Sequence, residues 1–455
     1  MNEQPEQPRL TLMRAIAYGL GDLGTAMAAN ILVFFLLPFL TTVAGIPAGL
    51  AGSLILIGKV WDAINDPLIG MLSDRTHHPF GRRRIWMAWG SAPLALSFIL
   101  LWWIPLPGWG LWLYYAIALL LFHTFYTAVN LPYAALMPEL SHDYDERTSL
   151  TNIRFAFSIA GSLISGILFL PVVNLWSPDR AAGHLGGGIL WALLGLSSLW
   201  ICILATPEPP RPPQISPPIW QEIRTVFANP SYRYVVGIYL CAWLGVQFTA
   251  SIIPFFITYW MGLPDIWISY VILAVQGTAF VMLFVWNRLC RITDKKIVYL
   301  LGMGLWLIAQ GGLFLVQPGE TPLMLVLAIL AGMGVSVAYL IPWAMIPDVI
   351  DADELVTGQR REGVYYAFMV FLQKLGLALG LQGIGWILEG AGFISSIAAE
   401  APPVQPDSAL WAIRLAIGPI PALALSLGMI LAVFYPLSRR RHAEIRQALA
   451  NRPMP

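Results

Sequence analysis

Long apolar segments alternate with short polar links along the whole chain. Most segments have about 20 or more residues, which is enough for a helix that crosses a bilayer. The predicted spans are residues 12–42, 49–72, 85–105, 111–137, 151–174, 188–206, 233–261, 266–289, 297–317, 322–346, 364–393 and 410–437. The pattern therefore predicts an all-α membrane protein with about twelve transmembrane helices.

The polar links differ in charge from one side of the predicted membrane to the other. Most lysines and arginines lie in the links after even-numbered spans and in the C-terminal tail, whereas the opposite side carries only Arg180 and Arg414. Because positively charged links stay in the cytoplasm, we expect both termini to be cytoplasmic. The expected location is the plasma (inner) membrane, which the chain crosses many times.

Composition narrows the function class. The chain is 58% hydrophobic and 11% charged, whereas a soluble domain has about 25% charged residues. A net charge of +1 gives no support for nucleic-acid binding, and no obligate protein partner is evident. No metal-spaced cluster and no nucleophile–base set appears. A transporter without a cofactor is therefore favoured over a membrane enzyme.

The chain divides into two similar halves. The proline-rich link 207–232 separates an N-terminal six-helix bundle, residues 1–206, from a C-terminal bundle and tail, residues 233–455. The fourth span ends in Pro132–Glu139 and the tenth in Pro342–Asp348, two segments with similar proline spacing. Such parallel repeats are typical of transporters whose substrate site lies between the halves, and an ion channel would not need them.

The most informative stretch lies in the middle of the second span. Lys59, Asp62 and Asp66 share one helix face and Asn65 borders it. Each charge at the bilayer centre costs about 2.5–3.5 kcal/mol, and two carboxylates one turn apart stay ionised in a low dielectric only with a cation. The stretch is therefore interpreted as a cation site. A buried Lys–Asp clamp between two helices is the alternative.

The segment Trp61–Pro67 resembles the second-helix motif of the glycoside–pentoside–hexuronide:cation symporters, a branch of the major facilitator superfamily. Further matches are Tyr18-Gly19, Tyr126, Thr127, Arg154, Pro347-Asp348, Asp351 and Lys374. The resemblance implies that Asp62 and Asp66 bind the coupling cation, sodium first and a proton as the alternative. It also implies Thr127 as a hydroxyl ligand and Lys374 as the charge partner, for which Lys59 is a second candidate.

The substrate residues differ from the family pattern, because the sugar-binding acids of the family align with Ala26 and Asn130, which are not acidic. Asp22 lies one turn before Ala26 and is a candidate replacement. The expected small-molecule substrate is a sugar or sugar conjugate, contacted by Asp22, Tyr126, Asn130 and Arg154. The segments Asn130–Tyr133 and Pro342–Asp351 also resemble sodium-dependent lysophosphatidylcholine symporters, so a lysophospholipid is the alternative.

The link after the second span resembles the loop signature of the major facilitator superfamily. Its segments Gly70–Arg75 and Gly81–Arg84 place an acid among basic residues. Such a loop can hold helix ends together in one conformation and release them in another. The expected gating latch comprises Asp74, Arg75, Arg82, Asp348, Asp351 and Arg360.

Overall fold

A computed structural model describes residues 11–105, 109–140, 144–176, 178–207, 229–358, 362–396 and 403–451. These residues form sixteen α-helices: α1 Leu12–Ile31, α2 Leu37–Thr42, α3 Ala48–Arg75, α4 Arg82–Leu100, α5 Trp109–Leu140, α6 Tyr144–Val173, α7 Arg180–Ala205, α8 Pro230–Phe255, α9 Ile266–Ile272, α10 Thr278–Ile292, α11 Lys295–Leu315, α12 Thr321–Thr357, α13 Glu362–Gly390, α14 Asp407–Ile417, α15 Pro419–Phe434 and α16 Arg439–Ala450. Turns of π-helix join α1 to α2 and α9 to α10, and another extends α8 to Trp260.

The expectation of an all-α, multi-pass membrane protein is confirmed. Among the described residues, ten helical segments are long and apolar enough to cross a membrane. Two further predicted spans correspond to α3, which carries charges in its middle, and α4, which begins with three arginines. Most of the predicted link 207–232 lies outside the described residues, so the predicted domain boundaries stay a prediction.

Two predicted boundaries are wrong. The sixth span begins at Arg180 rather than 188, because Asp179 caps the helix by accepting a hydrogen bond from the Ala182 amide at 2.9 Å. The tenth span continues past Pro347 to Thr357, so its acids lie on a helix and not in a loop. That helix ends at Gly358, whose φ of 72° is accessible to glycine at little cost.

Contacts group the chain into two compact units. Unit 1 contains residues 1–32 and 57–215, and unit 2 contains residues 33–56 and 216–455. In unit 1, α1 packs against α6 and α7, and α4 packs against α5 and α7. The buried interior near the start of α1 includes Tyr18, Met87, Tyr133, Leu136 and Cys202.

In unit 2, α8 packs against α12, α13 and α15. Residues 33–56 belong to this unit because the backbone of Ala48 and Gly52 lies close to Gly385 on α13. The Trp343 ring of α12 lies 5.9 Å from Tyr239 of α8. In unit 1 the Tyr133 ring of α5 lies 4.8 Å from Tyr18 of α1. Corresponding helices of the two halves thus each bring two aromatic rings together, stacked in unit 1 and edge to face in unit 2.

Candidate functional site

Helix α3 has one polar face and one apolar face. Asp62 and Asn65 are buried, and Lys59 and Asp66 are half-buried. The opposite face is apolar and exposed, and it includes Val60, Ile64, Leu68 and Met71. Charged groups directed away from an exposed apolar face fit a helix in lipid. The face predicted from the sequence is therefore the face that the fold buries.

Thr127 of α5 lies between the two carboxylates. Its Oγ1 is 3.0 Å from Asp62 Oδ1 and 3.0 Å from Asp66 Oδ1. A hydroxyl has one proton, so it can donate to only one of these oxygens at a time. Three oxygens that converge with one proton among them form a site that suits a cation.

The register between α3 and α5 places these groups. The indole Nε1 of Trp61 donates to Thr124 Oγ1 at 2.8 Å, and the backbone at Gly58 lies against His123 and Leu119. Farther along α3, Gly70 faces Leu131. Contacts that advance along both helices in the same direction show that the two helices run parallel.

His123 is a further member of this cluster and was not predicted from the sequence. It is 2% exposed, and its Nδ1 lies 3.8 Å from Asp62 Oδ1. Histidine four residues before Thr127 lies on the same helix face, so spacing alone could have indicated it. Asn65, also predicted, is buried in α3, and its Nδ2 has no hydrogen-bond partner among the described residues.

A second polar cluster lies between α1 and α6. Arg154 Nε donates to Asp22 Oδ2 at 3.0 Å, and Thr25 Oγ1 lies 3.2 Å from Asp22 Oδ1. The guanidinium carbon lies 5.1 Å from the centre of the Tyr133 ring. Tyr18 and Tyr133 hold this part of α1 and α5 together, because each hydroxyl donates to the other's carbonyl. The structure thus brings two of the predicted substrate residues, Asp22 and Arg154, into direct contact.

The other two predicted substrate residues lie on α5 beside these clusters. Tyr126 is within electrostatic reach of the Asp22–Arg154 pair and of both carboxylates of α3. Asn130 lies one turn farther along, and its Oδ1 is buried without a hydrogen-bond partner in the described residues. An amide oxygen in that position can accept a hydrogen bond from a ligand.

The predicted charge partners lie in different units. Lys59 is on α3, one turn before the carboxylates, and Lys374 is a half-buried residue of α13 in unit 2. The pairing of Lys374 with Asp62 or Asp66 stays a prediction.

Beside the predicted latch of the first half, which stays a prediction, Arg84 bonds to α7. Arg84 donates from Nε and Nη2 to the carbonyl of Ile203 at 3.0 and 2.5 Å, near the C-terminus of α7, where a cation is favoured by the helix dipole. Arg75 is exposed and Arg82 half-buried at the ends of the same link. The side chain of Asp74 lies outside the described part.

The corresponding region of unit 2 contains a network of ion pairs. Lys295 Nζ lies 2.8 and 2.7 Å from the two carboxylate oxygens of Asp348. His442, on the tail helix α16, lies 2.9 Å from Asp351 and 3.6 Å from Asp348. Asp294 accepts a hydrogen bond from the backbone amide of Arg439 at 2.6 Å. The predicted residues Asp348 and Asp351 thus contact the tail helix, whereas Arg360 lies outside the described residues.

Comparisons with known proteins agree with this fold. The chain matches the MFS/sugar transport protein family over residues 17–439. It is 44% identical to an uncharacterized symporter of Synechocystis sp., sll1374, over 99% of both chains. It is 29% identical to the putative glycoside/cation symporter YagG of Escherichia coli, over 97% of this chain and 95% of that one. The crystal structure of the nucleoside transporter NupG has the same fold, with a TM-score of 0.64 and 12% identity over 92% of this chain and 99% of that chain. The chain belongs to the MFS/sugar transport protein family, which is a family of membrane transporters and not of enzymes.

Proposed function

We propose that this transporter is a cation-coupled symporter and that sodium is its coupling cation. The observation that carries the proposal is the convergence of Asp62, Asp66 and the Thr127 hydroxyl around one point of unit 1. A hard cation such as sodium is bound by carboxylate and hydroxyl oxygens. A Lys–Asp clamp would need neither the second carboxylate nor the shared hydroxyl. The names of the relatives, both symporters, are consistent with this function.

Coupling follows from the charges. Without a cation the two carboxylates repel each other in a low dielectric, and a bound cation removes that repulsion. Tyr126 lies within reach of both clusters, so an ordered cation site also orders the neighbouring substrate groups. Each ligand then increases the affinity for the other, as linkage requires. Transport would proceed by alternating access, in which the predicted gating latch residues of each half separate and come together again.

The substrate that we propose is a sugar or sugar conjugate. Asp22, Arg154, Tyr126 and Asn130 offer both donors and acceptors, which suits a molecule with many hydroxyl groups. Ala26 and Asn130 replace two acids that the family resemblance places there. Charged acceptors contribute about 1.5–3 kcal/mol each and neutral ones about 1 kcal/mol, so simple α-galactosides are expected to be poor substrates. A lysophospholipid is the alternative that the experiment has to exclude.

The proposed orientation has both termini in the cytoplasm. A single cysteine at Arg75, in a chain whose Cys202, Cys241 and Cys290 are replaced, should resist an impermeant thiol reagent added outside intact cells. Arg75 is exposed in the structure, so labelling would report its side of the membrane. Rapid labelling from outside would contradict the orientation.

The decisive experiment is uptake by sealed vesicles that contain the purified protein. A panel of glycosides, uronides and lysophospholipids would be tested with an inward sodium gradient, a proton gradient or neither. Sodium-driven accumulation of a glycoside supports the full proposal. Accumulation driven by a proton gradient alone would show that the coupling cation is a proton and not sodium. Sodium-driven accumulation confined to lysophospholipids would show that the substrate is a lysophospholipid. Accumulation unaffected by either gradient would refute symport.

A further inference from the structure

A groove in unit 2 lies where the tail helix α16 meets the ends of two membrane spans. Its volume is about 540 Å³, and it is lined by Ile292, Thr293, Asp294, Ile297, Arg439, Arg440 and Ala443. Ile292 lies just beyond a span that ends at Cys290. The last span ends at Phe434, shortly before Arg439. The groove therefore lies at the level of the bilayer surface, where the headgroups of phospholipids are found.

Two arginines of α16 form the basic side of the groove. Arg439 is exposed, and its side chain makes no hydrogen bond or ion pair within the part of the chain that the structure describes. Arg440 is 91% exposed and lies 3.3 Å from Glu444, a surface pair that contributes little to stability. Both guanidinium groups are therefore available to an anion, and a guanidinium binds phosphate oxygens through two parallel hydrogen bonds.

The acid in the lining is already engaged. Of the described residues that line the groove, only Asp294 is acidic. Its Oδ1 accepts a hydrogen bond from the backbone amide of Arg439 at 2.6 Å, which joins α16 to the start of α11. The chain after Phe434 has five arginines and one glutamate. Such a basic segment directly after a membrane span attracts anionic lipids.

The membrane side of the groove is apolar. Ile292 is 72% exposed and Ile297 is 46% exposed. Farther into the same two spans, Val285 of α10 and Leu301 of α11 are also exposed. A soluble phosphate would leave these side chains uncovered, whereas the acyl chains of a phospholipid cover them while its headgroup reaches the arginines. Basic and apolar sides at this level together favour a lipid over a soluble anion.

We propose that this groove binds an anionic phospholipid from the leaflet on its side of the membrane. Arg439 and Arg440 hold the phosphate, and the acyl chains lie on Ile292 and Ile297. The bound lipid joins the tail helix α16 to α10 and α11, the helices whose ends line the groove. The inference does not depend on the coupling cation or on the transported substrate.

The test is mass spectrometry of the intact, delipidated protein in detergent, titrated with phosphatidylglycerol. Each arginine near the headgroup contributes separately to the attraction. Arg439→Gln and Arg440→Gln should each raise the dissociation constant of the first bound lipid about fivefold, and the double variant should raise it about thirtyfold. Phosphatidylcholine, whose headgroup has no net charge, should bind the unmodified protein more weakly than phosphatidylglycerol does.

The matched control is Arg233→Gln/Arg446→Gln, which removes the same charge from two exposed arginines outside the groove. It should leave the dissociation constant unchanged. An equal loss in this control would show that the basic surface attracts lipid without a defined site, and undiminished binding in Arg439→Gln/Arg440→Gln would show that the lipid binds elsewhere. Equally tight binding of glycerol 3-phosphate would show that the groove takes a soluble phosphate. Any of these three results would overturn the proposal.

Discussion

The change that tests the cation site most severely is Asp66→Asn. The substitution keeps the shape of the side chain and an oxygen for the Thr127 hydroxyl, which lies 3.0 Å away, and it removes one negative charge. Among the converging oxygens a cation would lie within about 4 Å of that charge. At an effective dielectric constant of 20, the lost attraction is about 4 kcal/mol. This corresponds to about a thousandfold weaker cation binding.

Sodium-dependent uptake in vesicles measures this loss. We expect Asp66→Asn to show no sodium stimulation at any usable concentration, while the purified variant stays monodisperse. The matched control is Asp179→Asn, the same chemical change at the N-terminus of α7, where asparagine caps as well as aspartate. The control should keep normal sodium dependence. A half-maximal sodium concentration for Asp66→Asn within about threefold of the unmodified protein would show that Asp66 is not a ligand, since it corresponds to less than about 1 kcal/mol.

Three other predictions concern the residues around this site. Lys374→Ala should impair uptake. If Lys374 pairs with Asp62, the loss of uptake in the double variant with Asp62→Asn should be smaller than the sum of the two single losses, and purely additive losses would show that the two charges do not pair. Asp22→Asn removes the charge that holds Arg154 at 3.0 Å, so it should abolish uptake of a hydroxyl-rich substrate and spare a lysophospholipid; undiminished glycoside uptake would exclude Asp22 from the site. Asp348→Asn should loosen the tail helix and increase amide hydrogen exchange in α16; unchanged exchange would show that this carboxylate does not hold the helix.

The charged face of α3 could be predicted from spacing alone. Side chains three and four residues apart share a helix face, and charges in a membrane helix avoid lipid, so Asp62 had to be buried. Thr127 was predicted as a ligand only from the family resemblance. His123 was not predicted, because a single histidine in an apolar span most often belongs to the packed interior. Its position beside Asp62 depends on the register between α3 and α5, which Gly58 and the Trp61 hydrogen bond determine.

The cytoplasmic end of α12 shows why boundaries were harder to predict. Pro347 and the acids that follow it are typical of a loop, so the predicted span ended before them. In the fold these acids stay helical because their partners come from elsewhere in the chain: Asp348 bonds to Lys295, and Asp351 contacts His442 of the tail. Contacts between residues so far apart in sequence leave no local signal.

The central claim is that one cation binds among Asp62, Asp66 and Thr127, and direct binding of radioactive sodium to the purified protein tests it without knowledge of the substrate. We predict a single saturable site per chain in the unmodified protein, which disappears in Asp62→Asn and in Asp66→Asn and persists in Asp179→Asn. No saturable binding to the unmodified protein, or undiminished binding to both site variants, would contradict the account.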